Sequence, residues 1–155
     1  MKGNKTIIKQ LNILLADELT AINQYIVHAE MCENWGYKKL HDTIKKRAID
    51  EMKHAEKIIA RILFLEGIPE VGSLNKISVG KDIEKQFESD MNSETSAVKI
   101  YNESIRICVE LGDNGTRELL EAILSDEEKH LDWLEIQLEQ IKQLQLKNYL
   151  LEQTE

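Results

Sequence analysis

Two five-residue segments of this chain share one pattern. Asp50-Glu51-Met52-Lys53-His54 and Asp126-Glu127-Glu128-Lys129-His130 both read D-E-x-K-H. Each sets a glutamate and a histidine three residues apart, which on an α-helix places both side chains on one face, a turn apart. A carboxylate and an imidazole so placed can reach one metal ion. An offset of 76 residues relates the two copies and extends beyond them: it also relates Glu18 to Glu94, Ala21 to Ala97, Tyr25 to Tyr101, Cys32 to Cys108 and Gly36 to Gly112. The repeat therefore sorts six residues into two equal sets, Glu18 with Glu51 and His54, and Glu94 with Glu127 and His130. Four carboxylates and two imidazoles suit a pair of divalent ions in an oxygen-rich site with nitrogen at each end, two of the carboxylates bridging. Without ions, four carboxylates at one level of a helical core would repel one another and lack solvent, and some would protonate. Two divalent cations offset that cost, which a purely structural role leaves unexplained.

Long helices are the elements that must position these six residues. The chain has 155 residues, 42% of them apolar and 31% charged, with one proline and seven glycines. So few breakers favour helices over strands. Apolar residues recur at helical spacing from about Ile7 to Asn34, with Glu18 as the charged residue inside that stripe. A second helix is predicted from about Lys38 to Glu66, with Gly67 as the left-handed residue that ends it. A third begins near the N-cap Asp82 and runs to about Leu111, a fourth runs from about Thr116 to Leu144, and Lys147 to Gln153 could form a short fifth. Helices of nearly thirty residues span about 40 Å at ~1.5 Å per residue. The breaks at Gly36 and at Gly112-Asp113-Asn114-Gly115 are short and make antiparallel neighbours. The stretch from Gly67 to Gly80, which holds the only proline, is long enough to run from one end of a bundle to the other. Residues 1–155 thus read as one all-α domain: an antiparallel four-helix bundle with one long crossover and a short C-terminal fifth helix.

Residues outside the six carry weaker signals. Tyr25 lies seven positions after Glu18 and Trp133 three after His130; each could sit beside the metals or be an ordinary core aromatic. His28 and His41 have no glutamate three residues before them and are expected to be surface residues or incidental to the chemistry. The runs Lys38-Lys39 and Lys45-Lys46-Arg47 read as solvated faces. Met52 points well away from the face of Glu51 and His54 at about 100° per residue. With Leu19, Ile22 and Ile26 it suggests an outward apolar interface, either plain dimer packing or a thioether ligand for haem iron. Cys32 and Cys108 form no C-x-x-C pair and are expected as buried free thiols, in keeping with a reducing compartment. The formal net charge of −8 argues against sequence-independent nucleic-acid binding; it fits attraction of cations, but on charge alone simple solubility accounts for it better. The N-terminus lacks the apolar run of a signal peptide and no stretch is apolar and long enough to span a bilayer, so the expected location is cytoplasmic, with neither nucleic acid nor membrane as partner.

At this level of detail the chain resembles the bacterioferritins, the haem-containing ferritins of bacteria, over nearly its whole length. The resemblance rests on Met1-Lys2-Gly3, Glu18-Leu19, Ala21 to Tyr25, Asn34-Trp35-Gly36, Ile49 to Ala55 and Arg61 to Gly67. It continues through Asp126-Glu127-Glu128, His130, Asp132 to Glu135 and Asn148-Tyr149-Leu150. It implies a ferritin-like fold, a hollow homo-oligomer of 24 subunits built from twofold dimers, and storage of ferric mineral. It implies a ferroxidase centre of Glu18, Glu51, His54, Glu94, Glu127 and His130, holding two irons per subunit and oxidising Fe(II) with O2 or H2O2. It further implies one haem b per dimer, shared between two symmetry-related Met52 side chains, and a last helix lining a symmetry axis of the shell. Two positions depart from the pattern. Lys46 stands where some members carry a histidine that acts with Asp50 at an inner-surface iron site, and Ile58 stands where some have tyrosine. Two other readings compete. One is a non-storage di-iron oxidoreductase or peroxidase of the rubrerythrin sort, whose frequent cysteine-ligated iron domain has no counterpart here. The other is a mainly structural or haem-binding bundle with incidental metals.

Overall fold

A computed structural model describes residues 1–155. Five helices follow one another: α1 Lys5–Asn34, α2 Lys38–Phe64, α3 Ile83–Glu110, α4 Asn114–Leu144 and the short α5 Leu146–Leu151. Three of the long helices open on side-chain caps that satisfy otherwise unpaired N–H groups. Asn4 Oδ1 accepts from Thr6 N at 2.8 Å, Asp82 Oδ1 from Lys85 N at 2.9 Å, and Asp113 Oδ1 from Thr116 N at 3.0 Å. The two hairpins, α1–α2 and α3–α4, turn at equivalent glycines in the left-handed region, Gly36 at φ 82° and Gly112 at φ 73°. The end of α2 differs from expectation. Glu66, not Gly67, takes the left-handed conformation, at φ 59°, and Gly67 N then donates to Ile62 O at 2.9 Å. This is the six-to-one bond of a Schellman turn. Gly67 matters instead for closeness, since a Cβ there would lie 2.7 Å from Ile8 Cγ2.

The apolar interior divides into two layers. One is built from Ile7, Leu11, Leu14 and Leu15 of α1 with Ile58 and Ile62 of α2 and Leu120 and Ile123 of α4. The other joins Tyr25 and Ala29 to Leu40, Ile44, Phe87, Leu134, Ile141 and Tyr149 of α5. Between these layers, at the level of Glu18 on α1, the interior becomes polar. Cys32 and Cys108 are buried free thiols, as expected. No helix is long and apolar enough to cross a membrane.

The crossover from Leu65 to Asp82 is fastened along α1 by its own backbone. Asn75 N donates to Thr20 Oγ1 at 2.8 Å, Ser78 N to Gln24 Oε1 at 3.1 Å, and Gly80 N to His28 Nε2 at 3.0 Å. His28 is therefore not a surface residue. It is fully buried, and because its Nε2 accepts, its Nδ1 carries the proton that faces Asp90 Oδ1 at 2.9 Å. Gln24 Nε2 donates to the same carboxylate at 2.7 Å. One buried cluster thus ties α1, α3 and the crossover together. His41 is also buried, its Nδ1 2.9 Å from Ala29 O. Both histidines escape a pattern search because their partners are distant in sequence.

Arg61 links the two hairpins near the opposite end of the bundle. Its Nε donates to Thr116 Oγ1 and its Nη2 to Asp113 Oδ1, both at 2.9 Å, and its guanidinium lies 4.9 Å from the centre of the Phe64 ring. Asp113 also caps α4, and despite partial burial its contacts with Thr116 and Arg61 hold its carboxyl below the usual range. Arg61→Ala removes two hydrogen bonds and leaves Thr116 and Asp113 short of a partner. The expected cost is about 1–3 kcal/mol, read as a lowered unfolding midpoint in denaturant.

Candidate metal centre

Each of the four long helices brings its share of the six sequence-predicted residues to one level. Glu18 comes from α1, Glu51 and His54 from α2, Glu94 from α3, and Glu127 and His130 from α4. All six are buried. Their donor atoms form two overlapping groups, each converging within 4.8 Å: Glu18, Glu51, His54 and Glu127 in one, and Glu51, Glu94, Glu127 and His130 in the other. Glu51 and Glu127 belong to both. The two residues placed to bridge a pair of ions are thus the glutamates of the two D-E-x-K-H segments, while Glu18 and Glu94 lie at the outer ends.

Both imidazoles turn Nδ1 inward. His54 Nδ1 lies 2.9 Å from Glu127 Oε1 and 3.6 Å from Glu18 Oε2. His130 Nδ1 lies 3.1 Å from Glu51 Oε1 and 3.6 Å from Glu94 Oε1. The rings are nearly stacked, with centroids 6.2 Å apart. Despite these short separations, Glu18 Oε2, Glu51 Oε1, Glu127 Oε1 and His130 Nδ1 have no hydrogen-bond partner of acceptable geometry. Buried polar atoms are rarely left so. Four orphans in one place, close but not aimed at one another, are what donors directed at a common point would give. Carboxylate oxygen with imidazole nitrogen suits iron, manganese or zinc, so the residues present fit a pair of such ions.

Two tyrosines steady the outer carboxylates. Tyr25 donates to Glu94 Oε1 and Tyr101 to Glu18 Oε1. Each tyrosine serves the lone glutamate of the other hairpin, so the repeat is crossed at its centre. Burial, and then the facing carboxylate, push both phenols well up, which keeps them protonated donors. Tyr25 was a candidate from sequence; Tyr101 was not, although the 76-residue offset from Tyr25 marked it. Trp133 lies to one side, lining a surface groove with His54 and His130, with the Arg47 guanidinium 5.6 Å from its ring centre.

The protons of the metal-free site divide sharply. Burial, and then Glu51, push the Glu18 carboxyl well above the carboxylate range. Burial also pushes Glu94 well up, against its contact with His130, and the nearby Glu127 and Glu51 add to the rise. Burial opposes ionisation of Glu51 and Glu127 too, but contacts with both histidines overcome it and lower them. Burial likewise disfavours the charged imidazoles, yet the surrounding glutamates raise His54 to about 12 and His130 to about 10. At neutral pH this places two imidazolium cations against the lowered carboxylates of Glu51 and Glu127, with Glu18 and Glu94 the two glutamates that most resist ionisation.

The site has two openings. One lies between α1 and α3 beneath the crossover, is lined almost wholly by polar residues including Asp17, Asn75 and Ser93, and reaches the four glutamates. The other lies between α2 and α4 and reaches the two histidines. Met52 lies on neither. It is 45% exposed on the outer side of α2, and Ile49, one turn before it, and Ile26 of α1 are 41% and 48% exposed.

Comparison with known proteins agrees with this geometry. A family profile described as Ferritin-like domain matches residues 8–144. A bacterioferritin from Rhodobacter capsulatus is 43% identical over 138 residues, 89% of this chain and 86% of that one. One from Mycolicibacterium paratuberculosis is 40% identical over 149 residues, 96% and 94% of the two chains, and one from Mycobacterium leprae 41% identical over 144 residues, 93% and 91%. A helical bundle with one long crossover, two E-x-x-H pairs converging with two further glutamates, and this degree of identity over almost the full length lead to one conclusion: the chain belongs to the bacterioferritin family of ferritin-like proteins.

Proposed function

We propose that this protein stores and detoxifies iron, oxidising Fe(II) at the six-residue centre and holding the Fe(III) as mineral inside a cytoplasmic shell of 24 subunits. The observation that carries the reading is the pair of four-donor groups sharing Glu51 and Glu127. Iron is both substrate and cargo. Glu18, His54 and the shared glutamates would hold one Fe(II), and Glu94, His130 and the same two glutamates the other. Held side by side, two Fe(II) can give up one electron each; two electrons and two protons reduce O2 to H2O2, or H2O2 to two waters. The residues position the ions, and the protons displaced from the two imidazoles lie within the site. Tyr25 and Tyr101 keep the outer carboxylates in register while they change between protonated and ligating states. Fe(II) reaches the centre through the polar opening between α1 and α3, where Asp17 is the first carboxylate on the way.

Met52 would hold, through its thioether sulfur, a haem b shared by two subunits of a dimer. The support is an exposed thioether in an apolar setting on the outside of the bundle, together with the chain's family. When bound, such a haem supplies one-electron transfer. Met52→Ala is expected to abolish the low-spin haem absorption spectrum while leaving helicity and Fe(II) oxidation by the centre unchanged. Retention of that spectrum in the variant contradicts the assignment.

The storage reading is tested by particle mass together with iron capacity. A particle of 24 subunits that takes up iron far beyond two per chain is the expected result. A monomer or dimer that holds only a few irons contradicts storage and favours a small di-iron oxidoreductase of the rubrerythrin sort.

A further inference from the structure

The two openings of the centre differ in charge. The opening between α1 and α3 leads to the four glutamates and carries Asp17 and Lys76 at its sides. The groove between α2 and α4, of about 510 Å³, is lined by Lys46, Arg47, Lys53, Lys57 and Lys129, against only two carboxylates, Asp50 and Asp126. Five cations therefore meet two anions on a chain whose formal net charge is −8. The two carboxylates are already engaged. Lys46 Nζ is 2.9 Å and Lys53 Nζ 3.9 Å from Asp50, and Lys129 Nζ is 3.0 Å from Asp126, whose other oxygen faces His54 Nε2 at 3.4 Å. Arg47 and Lys57 have no carboxylate of the groove to pair with, and Arg47 is laid against Trp133. A basic concavity with free cations attracts anions and repels Fe(III) that carries no counter-anion. It nevertheless ends on the two histidines of the centre.

We propose that this groove binds inorganic phosphate and presents it to Fe(III) as the ion leaves the centre. The proposal rests on the storage reading above and requires the α2–α4 face to look into the shell. Arg47 and Lys57 are the anion's principal partners, with Lys46, Lys53 and Lys129 supplying the surrounding positive field; a planar guanidinium and an ammonium together suit a tetrahedral oxyanion. Fe(III) meeting dihydrogen phosphate there gives ferric phosphate and two protons, with no change of oxidation state. Lys46, held at 2.9 Å by Asp50, keeps a further cation at the rim of the groove.

The test uses the assembled, metal-free protein. Inorganic phosphate, titrated by calorimetry at low and at near-physiological salt, is expected to bind at one site per subunit. An Arg47→Gln/Lys57→Gln double variant is expected to bind at least tenfold more weakly, and Lys46→Gln more weakly to a lesser degree. Lys85→Gln, on an exposed position of α3, should bind as the parent does. Minerals grown in the same phosphate should show an iron-to-phosphorus ratio at least twofold higher in the double variant. Absence of phosphate binding, or equal affinity in parent and double variant, overturns the proposal. So does tighter binding of AMP than of phosphate, which would assign the groove to a nucleotide. Because the titration contains no iron, loss of Fe(II) oxidation with intact phosphate binding would count against the storage reading alone.

Discussion

Replacing either Glu127 or His130 by alanine is expected to lower the rate of rapid Fe(II) oxidation at least a hundredfold while leaving the helical fold and particle size unchanged. Glu127 is one of the two glutamates common to both donor groups, so its loss weakens both iron positions at once. His130 provides the only nitrogen of its group. Glu18→Ala removes an outer ligand and should also abolish the rapid phase. Glu18→Gln is the more searching variant. It can still accept from the Tyr101 hydroxyl but cannot supply a negative oxygen, so the structural contact survives and the ligand does not. The metal-free Glu127 and His130 variants should unfold at a lower temperature, since removing one partner of a buried ion pair leaves the other uncompensated. Stopped-flow oxidation in parallel with thermal unfolding separates the two effects. Oxidation at the parental rate in the Glu127 or His130 variant would contradict the assignment.

Metal uptake should release at least two protons for two divalent ions at neutral pH. The metal-free site holds two protons on His54 and His130, raised to about 12 and about 10, and the upward shift of Glu18 and Glu94 can only add to that number. Each divalent cation would displace the extra proton of the imidazole it meets, because a ligating imidazole must be neutral. Affinity therefore rises with pH. The stability of the metal-free protein runs the other way. Both imidazoles have folded values above their unfolded value of 6.5. Their contribution is complete below pH 6.5 and is lost as pH rises through about 10 and about 12. The gap in unfolding temperature between zinc-loaded and metal-free protein should accordingly widen from pH 6.5 to pH 10. Calorimetry of Zn(II) binding in buffers of different ionisation enthalpy counts the protons. Release of one or none contradicts this account.

Much of this arrangement was legible in the sequence because it depends on period and offset. The i, i+3 spacing of Glu51 with His54 and of Glu127 with His130 is local helix geometry, and the repeat brought in Glu18 and Glu94. Helix limits came out within a few residues because Asp82, Gly36 and Gly112 are local signals. Where the account fell short, the deciding interaction is between segments far apart in the chain. His28 lacks any nearby glutamate, yet folding brings Asp90 of α3 and Gly80 of the crossover to its two nitrogens. The crossed pairing of Tyr25 with Glu94 and Tyr101 with Glu18 follows from how the hairpins face each other, which the offset alone does not state. Glu66 takes the left-handed turn beside a glycine because the adjoining glycine is needed for contact with Ile8. Lys46 and Arg47 read in sequence as part of a solvated face, and only the fold gathers them with Lys53, Lys57 and Lys129 beside the centre.

The central claim is that two iron ions lie side by side among these six residues. Anomalous diffraction at the iron edge, from crystals soaked anaerobically in Fe(II), tests it most directly. The account predicts two peaks per subunit, both bounded by Glu51 and Glu127, one beside His54 and Glu18 and the other beside His130 and Glu94. Iron peaks elsewhere on the protein, with none between Glu51 and Glu127, would contradict it.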